Sequence, residues 1–376
     1  MNDKARKDKQ ANVTRVVFVQ KFVPHYRLPL FENLRDQFAR EGIEFVLIYG
    51  QPDPYEGSKI RMKFPEWGKR VKSWIIPLPG KFTRYLYWQK VPFSIKRGDV
   101  VIVEHASKLL DNYFLFALQQ IGWISLCYFG HGKNFQSHRE IRLARKLKQL
   151  MVKRVARWFA YTEISRQALL KQQVADDRIA VVNNTLVVSR VLDESEVPRE
   201  KNRFVYIGGL YKEKRLELIF DTMLKLRAEN NDIELHIAGT GPDQSRVEDF
   251  AREHNWCTYV GAVFGEDRDR FLLSATGIVM PGPVGLVAID SFHYATPIIT
   301  TQASNHGPEV AYLEDKINAL ILGCPGDVDS YSSLVELFLK DDQLADSLRN
   351  GCRESAGKYT IEDTASKFVD GVLSLR

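Results

Sequence analysis

The sequence predicts an α/β protein made of two doubly wound domains, and three observations support this fold class. Short apolar runs rich in β-branched and aromatic residues alternate with longer segments of helical period. The runs are apolar on both faces, which is typical of parallel strands covered by helices on both sides. The alternation stops over the polar stretch 188–202 and then begins again, and a chain of 376 residues is long enough for two cores.

The alternation predicts the position of each element. In the first half we expect strands at 15–20, 44–49, 73–77, 99–104, 124–129, 157–162 and 179–182, and helices near 28–40, 111–121 and 137–156. In the second half we expect strands at 203–208, 233–239, 257–262, 277–281, 297–300 and 318–322, and helices near 214–229, 242–254, 284–295 and 327–374.

The domain boundaries follow from the same pattern. The N-terminal domain covers 1–185, of which 1–14 are expected to be disordered, and 186–202 form a linker. The C-terminal domain covers 203–376, and its last helix can pack back on the N-terminal domain. Open α/β sheets bind ligands beyond the carboxyl ends of their strands, so we expect functional side chains directly after strands, facing a cleft between the domains.

Several sequence features bear on the compartment. No apolar run reaches the ~18–20 residues that a membrane-spanning helix requires, and the polar start MNDKARKDKQANVTR does not resemble a secretory signal. Cys127, Cys257, Cys324 and Cys352 form no CxxC pair and are interpreted as free thiols in a reducing environment. We therefore expect a cytoplasmic protein.

Charge is distributed unevenly along the chain. Residues 1–184 hold 33 Lys and Arg against 16 Asp and Glu, whereas residues 185–376 hold 20 against 31. Within 59–97, eleven basic residues and one acid, Glu66, are interleaved with eight aromatic residues. Such a surface can face anionic lipid, a phosphate-rich acceptor or nucleic acid, or it can be a solvated face over core aromatics. Because no nucleic-acid-binding module is visible, we expect an anionic membrane surface as a partner and no nucleic acid.

The most informative segment is GIVMPGPVGLVAIDSFHYATPIITT, residues 277–301. A strand ending at Met280 is followed by a Gly-containing turn and a helix. Free N–H groups and the positive dipole at the start of such a helix attract a phosphate, and Gly285 lets the backbone approach it. Asp290, further along the helix, can reach a ribose diol or can be a surface carboxylate, and spacing alone does not decide between the two.

Two further turns follow strands of the second half. In GGLYKEKR, residues 208–215, two glycines precede Lys212, Lys214 and Arg215, which fits a diphosphate clamp or a tight turn with solvated lysines. In HIAGTGPDQ, residues 236–244, a Gly-Thr-Gly-Pro turn can approach a nucleotide or simply connect a strand to a helix. No GxGxxG follows the first strand, which disfavours a dinucleotide-dependent dehydrogenase.

Loops of the first half also carry side chains suited to chemistry. YFGHGKN, residues 128–134, places His131 directly after a strand, where it can donate a hydrogen bond or a proton, or be a neutral loop residue. EHASKLLDN, residues 104–112, offers His105.

The loop after the first strand, KFVPHYRLPLFENL at 21–34, offers His25, Tyr26 and Arg27 for an acceptor, although the same loop can simply pack on the domain. No HExxH, no strand-end DxD and no Cys/His cluster is present in the sequence, so we expect no metal site.

These segments, in this order, resemble the retaining GT-B glycosyltransferases of family four, also called group 1 glycosyl transferases. The resemblance covers nearly the whole chain and is strongest over 203–322. The similar segments are FVYIGGLYKEKRLELI (the diphosphate segment), LHIAGTGPDQSRVEDF (the GxGP turn), YVGAVFGEDRDRFLLSATGIVMP (the run into the donor loop), GPVGLVAIDSFHYATPII (the donor motif), NHGPEVAYLEDKINALIL, and IAVVNNTL (the hinge).

The resemblance implies a role for each matching residue. Lys214 and the backbone of Gly285 and Leu286 would hold the donor diphosphate. Asp290 would hold the ribose and His131 would lie near the donor sugar, which makes these two the implied catalytic residues. The other implied contacts are Gly208, Gly209 and Arg215 for the diphosphate, Gly239, Thr240, Val263, Gly282 and Asn305 for the nucleotide or sugar, and His25, Tyr26, Arg27 and His105 for the acceptor.

Two positions depart from the family pattern. The first acidic residue of the donor motif, with seven residues between it and Asp290, is Gly282 here, and the arginine of the diphosphate segment is Gly209. Two side chains expected on the sugar and the diphosphate are therefore missing. The residues that can compensate are Lys212, Arg215, His131 and Asn305.

The resemblance implies transfer of a hexosyl group, with retention, from a UDP- or GDP-linked sugar to a saccharide or lipid-linked saccharide. It implies no metal or other cofactor. Together with the basic aromatic half, it places the chain at the inner face of a plasma membrane, in surface polysaccharide or lipopolysaccharide assembly. The alternative is a non-catalytic nucleotide-sugar-binding homologue that acts as a partner protein.

Overall fold

The computed structural model describes residues 13–53, 62–77, 85–132, 142–188, 192–229, 232–303 and 305–375. The chain forms two compact units. We call Met1–Leu186 together with Ile361–Arg376 the first unit, and Val187–Thr360 the second unit. Of the segment expected to be disordered, residues 1–12 lie outside the described residues.

The first unit is built on a parallel sheet whose apolar strands are buried on both faces. Its strands are β1 (Arg15–Gln20), β2 (Glu44–Tyr49), β3 (Lys69–Arg70), β6 (Val100–Glu104), β7 (Ser125–Gly130), β8 (Arg157–Ala160) and β9 (Ile179–Val181), in the order β3-β2-β1-β6-β7-β8-β9. β4 (Ser73–Pro77) and β5 (Tyr85–Gln89) form a separate antiparallel hairpin. The helices are α1 (Leu28–Arg40), α2 (Asp111–Gln120), α3 (Arg142–Arg154), α4 (Glu163–Lys171) and α11 (Ile361–Leu373).

Aromatic packing fixes the last helix in the core of the first unit. Phe18 of β1 packs edge-on against Phe31 of α1, with ring centroids 5.2 Å apart, and against Phe368 of α11 at 5.7 Å. Phe129 of β7 meets the same Phe368 ring at 5.1 Å. Because each aromatic ring buries a large apolar area, α11 completes a core that the N-terminal part of the chain leaves open.

The second unit repeats the parallel design. Its strands are β10 (Arg203–Ile207), β11 (Glu234–Ala238), β12 (Cys257–Gly261), β13 (Gly277–Met280), β14 (Ile298–Thr301) and β15 (Ala319–Leu322), in the order β12-β11-β10-β13-β14-β15. The helices are α5 (Leu216–Ala228), α6 (Gln244–Glu253), α7 (Glu266–Leu273), α8 (Val287–His293), α9 (Val328–Lys340) and α10 (Asp342–Ala356). The strand order reverses between β10 and β13, which is where open α/β sheets bind ligands. The predicted α/β class with doubly wound sheets is confirmed.

Three details differ from the expected elements. The run 73–77 was expected among the strands of the main sheet, but it pairs with 85–89 in the hairpin. The helices 163–171 and 266–273 were not predicted, because each is only two or three turns long and lacks a long apolar period. Thr162 begins the first of them by accepting a hydrogen bond from the backbone N of Ser165 at 3.5 Å.

The single helix expected at 327–374 is three helices. Asp327 caps α9 through a hydrogen bond from the Ser330 backbone N at 2.9 Å, and Asp341 caps α10 through one from the Leu344 backbone N, also at 2.9 Å. Each cap satisfies a donor that a continuous helix would use internally. The chain then turns at 357–360 and starts α11 in the other unit.

The segment expected as a linker is held against the second unit. The Leu192 backbone N donates to Asp269 Oδ2 at 3.1 Å, and the Arg199 guanidinium donates to the Tyr294 carbonyl at 3.1 Å. Val197 is buried. Burial lowers the pKa of Arg199 to about 10, with Arg349 adding to the effect. These contacts give 192–199 the order of a packed segment instead of a free tether.

The position of Phe368 predicts that the last helix stabilises the first unit. Phe368→Ala removes a ring that touches β1, β7 and β8 and leaves a cavity, so we expect a loss of about 3–5 kcal/mol in the unfolding free energy. Phe93 is 84% exposed and gives the matched control, since Phe93→Ala should change stability by less than about 0.5 kcal/mol. Urea unfolding of the full chain measures both. Equal effects of the two changes would show that α11 does not belong to this core.

Candidate functional site

Two turns at the carboxyl edge of the second sheet pack backbone against backbone. After β10, the Gly208 N donates to the Ala238 carbonyl at 3.0 Å, and the Leu210 N donates to the Thr240 carbonyl at 2.9 Å. A Cβ atom on Gly239 would lie 1.8 Å from the Gly208 carbonyl oxygen. Position 239 therefore requires glycine, and the expected nucleotide contacts Gly239 and Thr240 lie beside the expected diphosphate segment.

The turn after β13 passes against the residues that follow β10. A Cβ atom on Gly282 would lie 2.6 Å from the carbonyl carbon and oxygen of Lys214 and 2.7 Å from the carbonyl oxygen of Glu213. A Cβ atom on Gly209 would lie 2.7 Å from the Tyr211 ring. At both departures from the family pattern, neighbouring atoms occupy the space a side chain would need. Gly282 can therefore contact a ligand only through its backbone.

Lys214 is the cation that joins these two turns. Its side chain is buried, and Nζ donates a hydrogen bond to the Pro283 carbonyl at 2.5 Å. Burial lowers the pKa of Lys214 to about 8. Lys212, two residues earlier in the same 3-10 turn, is exposed. Lys214, which the sequence analysis expects at the diphosphate, is therefore buried at the carboxyl edge of the sheet.

His306 also holds this turn through a hydrogen bond, and it was not among the predicted site residues. Its Nδ1 accepts a hydrogen bond from the Val284 backbone N at 3.0 Å. In the neutral form with the proton on Nε2, that nitrogen donates to the Thr301 carbonyl at 2.7 Å, and the Ala303 backbone N lies 3.1 Å from the same atom. Burial lowers the pKa of His306, which favours this neutral form. Its neighbour Asn305, the residue expected at the sugar, is exposed.

The turn ends at backbone groups suited to an anion. Within the part of the chain that the structure describes, the N–H groups of Gly285 and Leu286 donate to no protein acceptor, and both residues are half-buried. The Glu309 carboxylate lies on the far side of this turn, with Oε2 4.0 Å from the place a Cβ atom of Gly285 would take. Glu309 is buried and was not predicted as part of the site.

Asp290 forms an ion pair with Arg268 of α7. The carboxylate is buried in α8, and burial raises the pKa of Asp290 while Arg268 lowers it. Burial opposes the charge on Arg268, but Asp290 and its hydrogen bond hold the pKa of that guanidinium above its usual value. Since Arg268 bonds to Oδ1, the pair offers a ribose diol a carboxylate oxygen and a guanidinium together. Arg268 was not among the predicted site residues because α7 itself was not predicted.

Arg215 has structural contacts besides its expected role at the diphosphate. Its backbone is in the left-handed region with φ of 58°, and its guanidinium donates to the carbonyls of Pro325 and of Gly326, the latter at 2.8 Å. These bonds hold the turn before α9. The contact of Arg215 with a diphosphate stays a prediction.

Val263 lies apart from the other expected donor residues. It is half-buried after β12 and lines a cavity of about 480 Å³ with Val197, His236 and Phe271. No other residue expected to contact the donor is among the described residues that line this cavity.

Side chains from four strand ends meet at the carboxyl edge of the first sheet. The Arg27 guanidinium donates to Tyr161 Oη at 2.7 Å and lies over the Phe129 ring at 5.3 Å. The His131 ring packs edge-on against Tyr161, with centroids 4.4 Å apart. Burial opposes the charge on Arg27, but Tyr161, Tyr26 and Glu104 raise its pKa above the usual range. The expected acceptor residue Arg27 and the expected catalytic residue His131 therefore share one partner.

His131 is neutral at physiological pH. It keeps surface open to solvent, yet the protein atoms around it lower its pKa to about 4, with Arg27 adding to the effect and Glu104 opposing it. A neutral imidazole can accept one hydrogen bond and donate another. Residues 133 and 134 of the same loop lie outside the described residues.

The remaining acceptor candidates divide into one packed and two accessible residues. The His105 ring lies 5.0 Å from Tyr128 and 4.9 Å from Trp158, and burial lowers its pKa to about 4, so its contacts are those of a packing residue. His25 is exposed and meets the half-buried Tyr26 ring at 5.6 Å.

Neither a metal centre nor a membrane-crossing helix is found in the described ranges. No group of three or more His, Cys, Asp or Glu side chains is arranged there to hold a metal ion. None of the described helices combines the length and the apolar character needed to cross a bilayer.

Comparison with known proteins finds one family model and several relatives to which parts of the chain are similar. Residues 190–356 match the model of the family described as glycosyl transferases group 1. The glycogen synthase of Mycobacterium tuberculosis is 26% identical over 183 residues, which are 47% of this chain and 43% of that protein. The chain thus matches less than half the length of this relative.

Solved structures extend the likeness to the whole fold. The lipopolysaccharide outer core galactosyltransferase WaaB is 14% identical with a TM-score of 0.67, over 96% of this chain and 99% of that one. HepE of Anabaena in complex with UDP is 10% identical with a TM-score of 0.63, over 96% and 100%. The fold is therefore that of the GT-B glycosyltransferases. The match to the group 1 glycosyl transferases falls within the second unit of this fold.

The neutral His306 makes the second unit sensitive to acid. Its pKa is lower in the folded chain than in the unfolded chain, so its contribution to stability is present above the unfolded value of 6.5 and is lost as pH falls through the folded value. His306→Ala leaves the Val284 N–H without its acceptor, and we expect a loss of about 1–3 kcal/mol at neutral pH.

Thermal unfolding between neutral and mildly acidic pH measures this effect. The wild-type chain should lose stability with acidification more steeply than His306→Ala, while His25→Ala, at an exposed histidine, should keep the wild-type slope. Parallel plots of stability against pH for wild type and His306→Ala would contradict the lowered pKa of His306.

Proposed function

We propose that the chain transfers a hexosyl group, with retention, from a UDP- or GDP-linked sugar to a saccharide or lipid-linked saccharide acceptor. The observation that carries the proposal is Lys214, a buried lysine where the turns after β10 and β13 meet. This point lies at the strand-order reversal of a group 1 glycosyl transferase domain.

The diphosphate would bind between Lys214 and the N–H groups of Gly285 and Leu286. The lysine supplies a charge in a site that is partly removed from water, where its attraction to a phosphate is stronger than at an open surface. Backbone N–H groups add directed donors without a side-chain entropy cost. As the glycosidic bond breaks, negative charge accumulates on the leaving diphosphate, and fixed donors stabilise that charge most in the transition state. We propose that these groups act without a metal ion.

The ribose would bind at the Asp290–Arg268 pair. A carboxylate accepts hydrogen bonds from both hydroxyls of a diol, and the guanidinium beside it can donate to a ribose or base oxygen. The structure of HepE contains UDP, and this supports a uridine donor among the two considered.

The acceptor would bind at the carboxyl edge of the first sheet. His131 is neutral there and Arg27 carries a lasting charge, so the edge offers a hydrogen-bond acceptor and a cation to an acceptor that bears hydroxyl and phosphate groups. WaaB is described as a lipopolysaccharide outer core galactosyltransferase. This supports surface polysaccharide or lipopolysaccharide assembly, in the cytoplasm at the inner face of the plasma membrane, as the process served.

A second candidate function is nucleotide-sugar binding without transfer, in a partner protein. The packed space at Gly282 and Gly209 favours it, because two side chains typical of the family have no room. Incubation with UDP- and GDP-linked hexoses separates the candidates. Release of UDP or GDP supports transfer, whereas binding to every donor with no turnover supports the partner role.

The proposed diphosphate site predicts that Lys214→Ala selectively weakens the binding of UDP. This variant should bind UDP about 10–100-fold more weakly, because it loses one charge-assisted contact to the diphosphate, while uridine binding stays unchanged. Lys212→Ala is the matched control, since Lys212 is exposed two residues away, and it should bind UDP within about threefold of wild type. Isothermal titration with UDP and uridine gives both values. An equal loss for the two ligands in Lys214→Ala would count against the clamp.

His131 should affect turnover more than nucleotide affinity. His131→Ala removes a positioned donor and acceptor, and we expect turnover to fall about 10²-fold while UDP affinity stays within threefold. His131 remains neutral well above its pKa of about 4, so its titration should cause no fall in wild-type turnover between neutral and mildly acidic pH. Lys201→Ala, at an exposed lysine of the second unit outside the expected site, serves as the control. Unchanged turnover in His131→Ala would remove its catalytic role.

A further inference from the structure

The β4–β5 hairpin of the first unit has an apolar face that is turned outward. Trp74 pairs with Trp88 and Ile76 with Leu86, so the four side chains share one face of the hairpin. Trp74 is 38% exposed and Ile76 is 46% exposed. We call these four residues the outer face.

The opposite face of the hairpin is fixed by buried polar contacts. Tyr87 donates to the Asp53 carboxylate, and the Gln89 backbone N donates to Asp111 Oδ2 at 2.8 Å. The Gln89 side-chain amide donates to the Lys21 carbonyl at 3.1 Å. These bonds of the inner face set the orientation of the hairpin. The outer face is therefore exposed to solvent because of the way the hairpin packs.

Cations border the outer face. The Lys72 and Lys90 ammonium groups lie 5.4 and 5.7 Å from the Trp74 ring centroid. The same pairing recurs nearby, where the Arg70 guanidinium lies 4.7 Å from the ring of Phe64, which is 47% exposed. Lysine stems lie along the indole while their charged ends remain in water. An apolar centre with a basic border is typical of proteins that lie on anionic lipid.

We propose that the outer face is a docking surface for an anionic lipid bilayer, with Trp74 and Trp88 at the interface and Lys72 and Lys90 on the headgroups. Aliphatic Ile76 and Leu86 lie beside the two indoles, and this favours hydrocarbon over stacked bases as the occupant. Phe114 of α2 continues the surface, 6.5 Å from Trp88. The proposal names the surface through which this chain would contact the membrane partner of the proposed function, and it rests on that function.

The inner face of the hairpin is bonded to the proposed acceptor edge. Gln89 reaches the Lys21 carbonyl directly after β1, and Gln20, the last residue of β1, accepts a hydrogen bond from Arg27 at 3.4 Å. The hairpin that carries the outer face is thus joined, through its inner face, to the strand end beside Arg27.

The experiment is vesicle co-sedimentation of the full chain without any nucleotide sugar. The vesicles are phosphatidylcholine alone, or phosphatidylcholine with about 30% phosphatidylglycerol. The variants are the pair Trp74→Gln with Trp88→Gln, and the pair Lys72→Gln with Lys90→Gln. The controls are Leu224→Gln, at a leucine that is 40% exposed on the second unit, and Lys201→Gln, at an exposed lysine there.

We expect wild type to bind the anionic vesicles only, and each paired variant to bind them about tenfold more weakly, with both controls unchanged. Wild-type binding by both paired variants would overturn the proposal. The proposal would also be overturned if the paired variants kept vesicle binding and instead lost self-association or oligonucleotide binding. Because no donor is present, failure here leaves the transfer reaction standing, and failure of transfer leaves this result intact.

A measurement on wild type removes any dependence on the folding of the variants. Brominated phosphatidylcholine and phosphatidylglycerol quench tryptophans that enter the acyl region. We expect quenching with the anionic brominated vesicles, together with protection of the same fluorescence from iodide. Absence of quenching at a lipid concentration that sediments the chain would refute contact through the outer face.

Discussion

The hydrogen bond from Lys214 to the Pro283 carbonyl is the contact on which the second unit's edge depends. It places a buried charge between the turns after β10 and β13, and the absence of a side chain at Gly282 allows the two backbones to approach. His306 holds the same turn from behind through Val284. A buried lysine is costly unless an anion compensates it. The proposed diphosphate would supply that anion.

At both positions where a side chain of the family is missing, neighbouring atoms occupy the space that it would need. An acidic residue at 282 would collide with the backbone at 213–214, and a side chain at 209 would meet the Tyr211 ring. The site instead draws on groups outside the donor motif. Arg268 joins Asp290 from α7, and Glu309 lies beside Gly285.

Sequence patterns predicted most of the fold, because continuous apolar runs and strand-end glycines are local signals. They also singled out Lys214 and Gly285, whose binding roles stay predictions. These patterns did not predict the β4–β5 hairpin, because the pairing of two strands outside the main sheet produces no periodic signal in the sequence. Arg268 and His306 were missed because their roles arise from contacts 22 residues away in the chain. The contacts of Arg215 with residues 325 and 326 were missed for the same reason, because partners that are distant in the chain leave no mark in a local motif.

The most direct test of the central claim is the number of protons taken up when UDP binds. At pH 8 about half of Lys214 is unprotonated in the free chain, because its pKa is about 8. A bound diphosphate raises that pKa, so calorimetry in buffers of different ionisation enthalpy should show an uptake of about half a proton, and Lys214→Ala should show none. Tight UDP binding with no uptake, or with the same uptake in Lys214→Ala, would contradict the account.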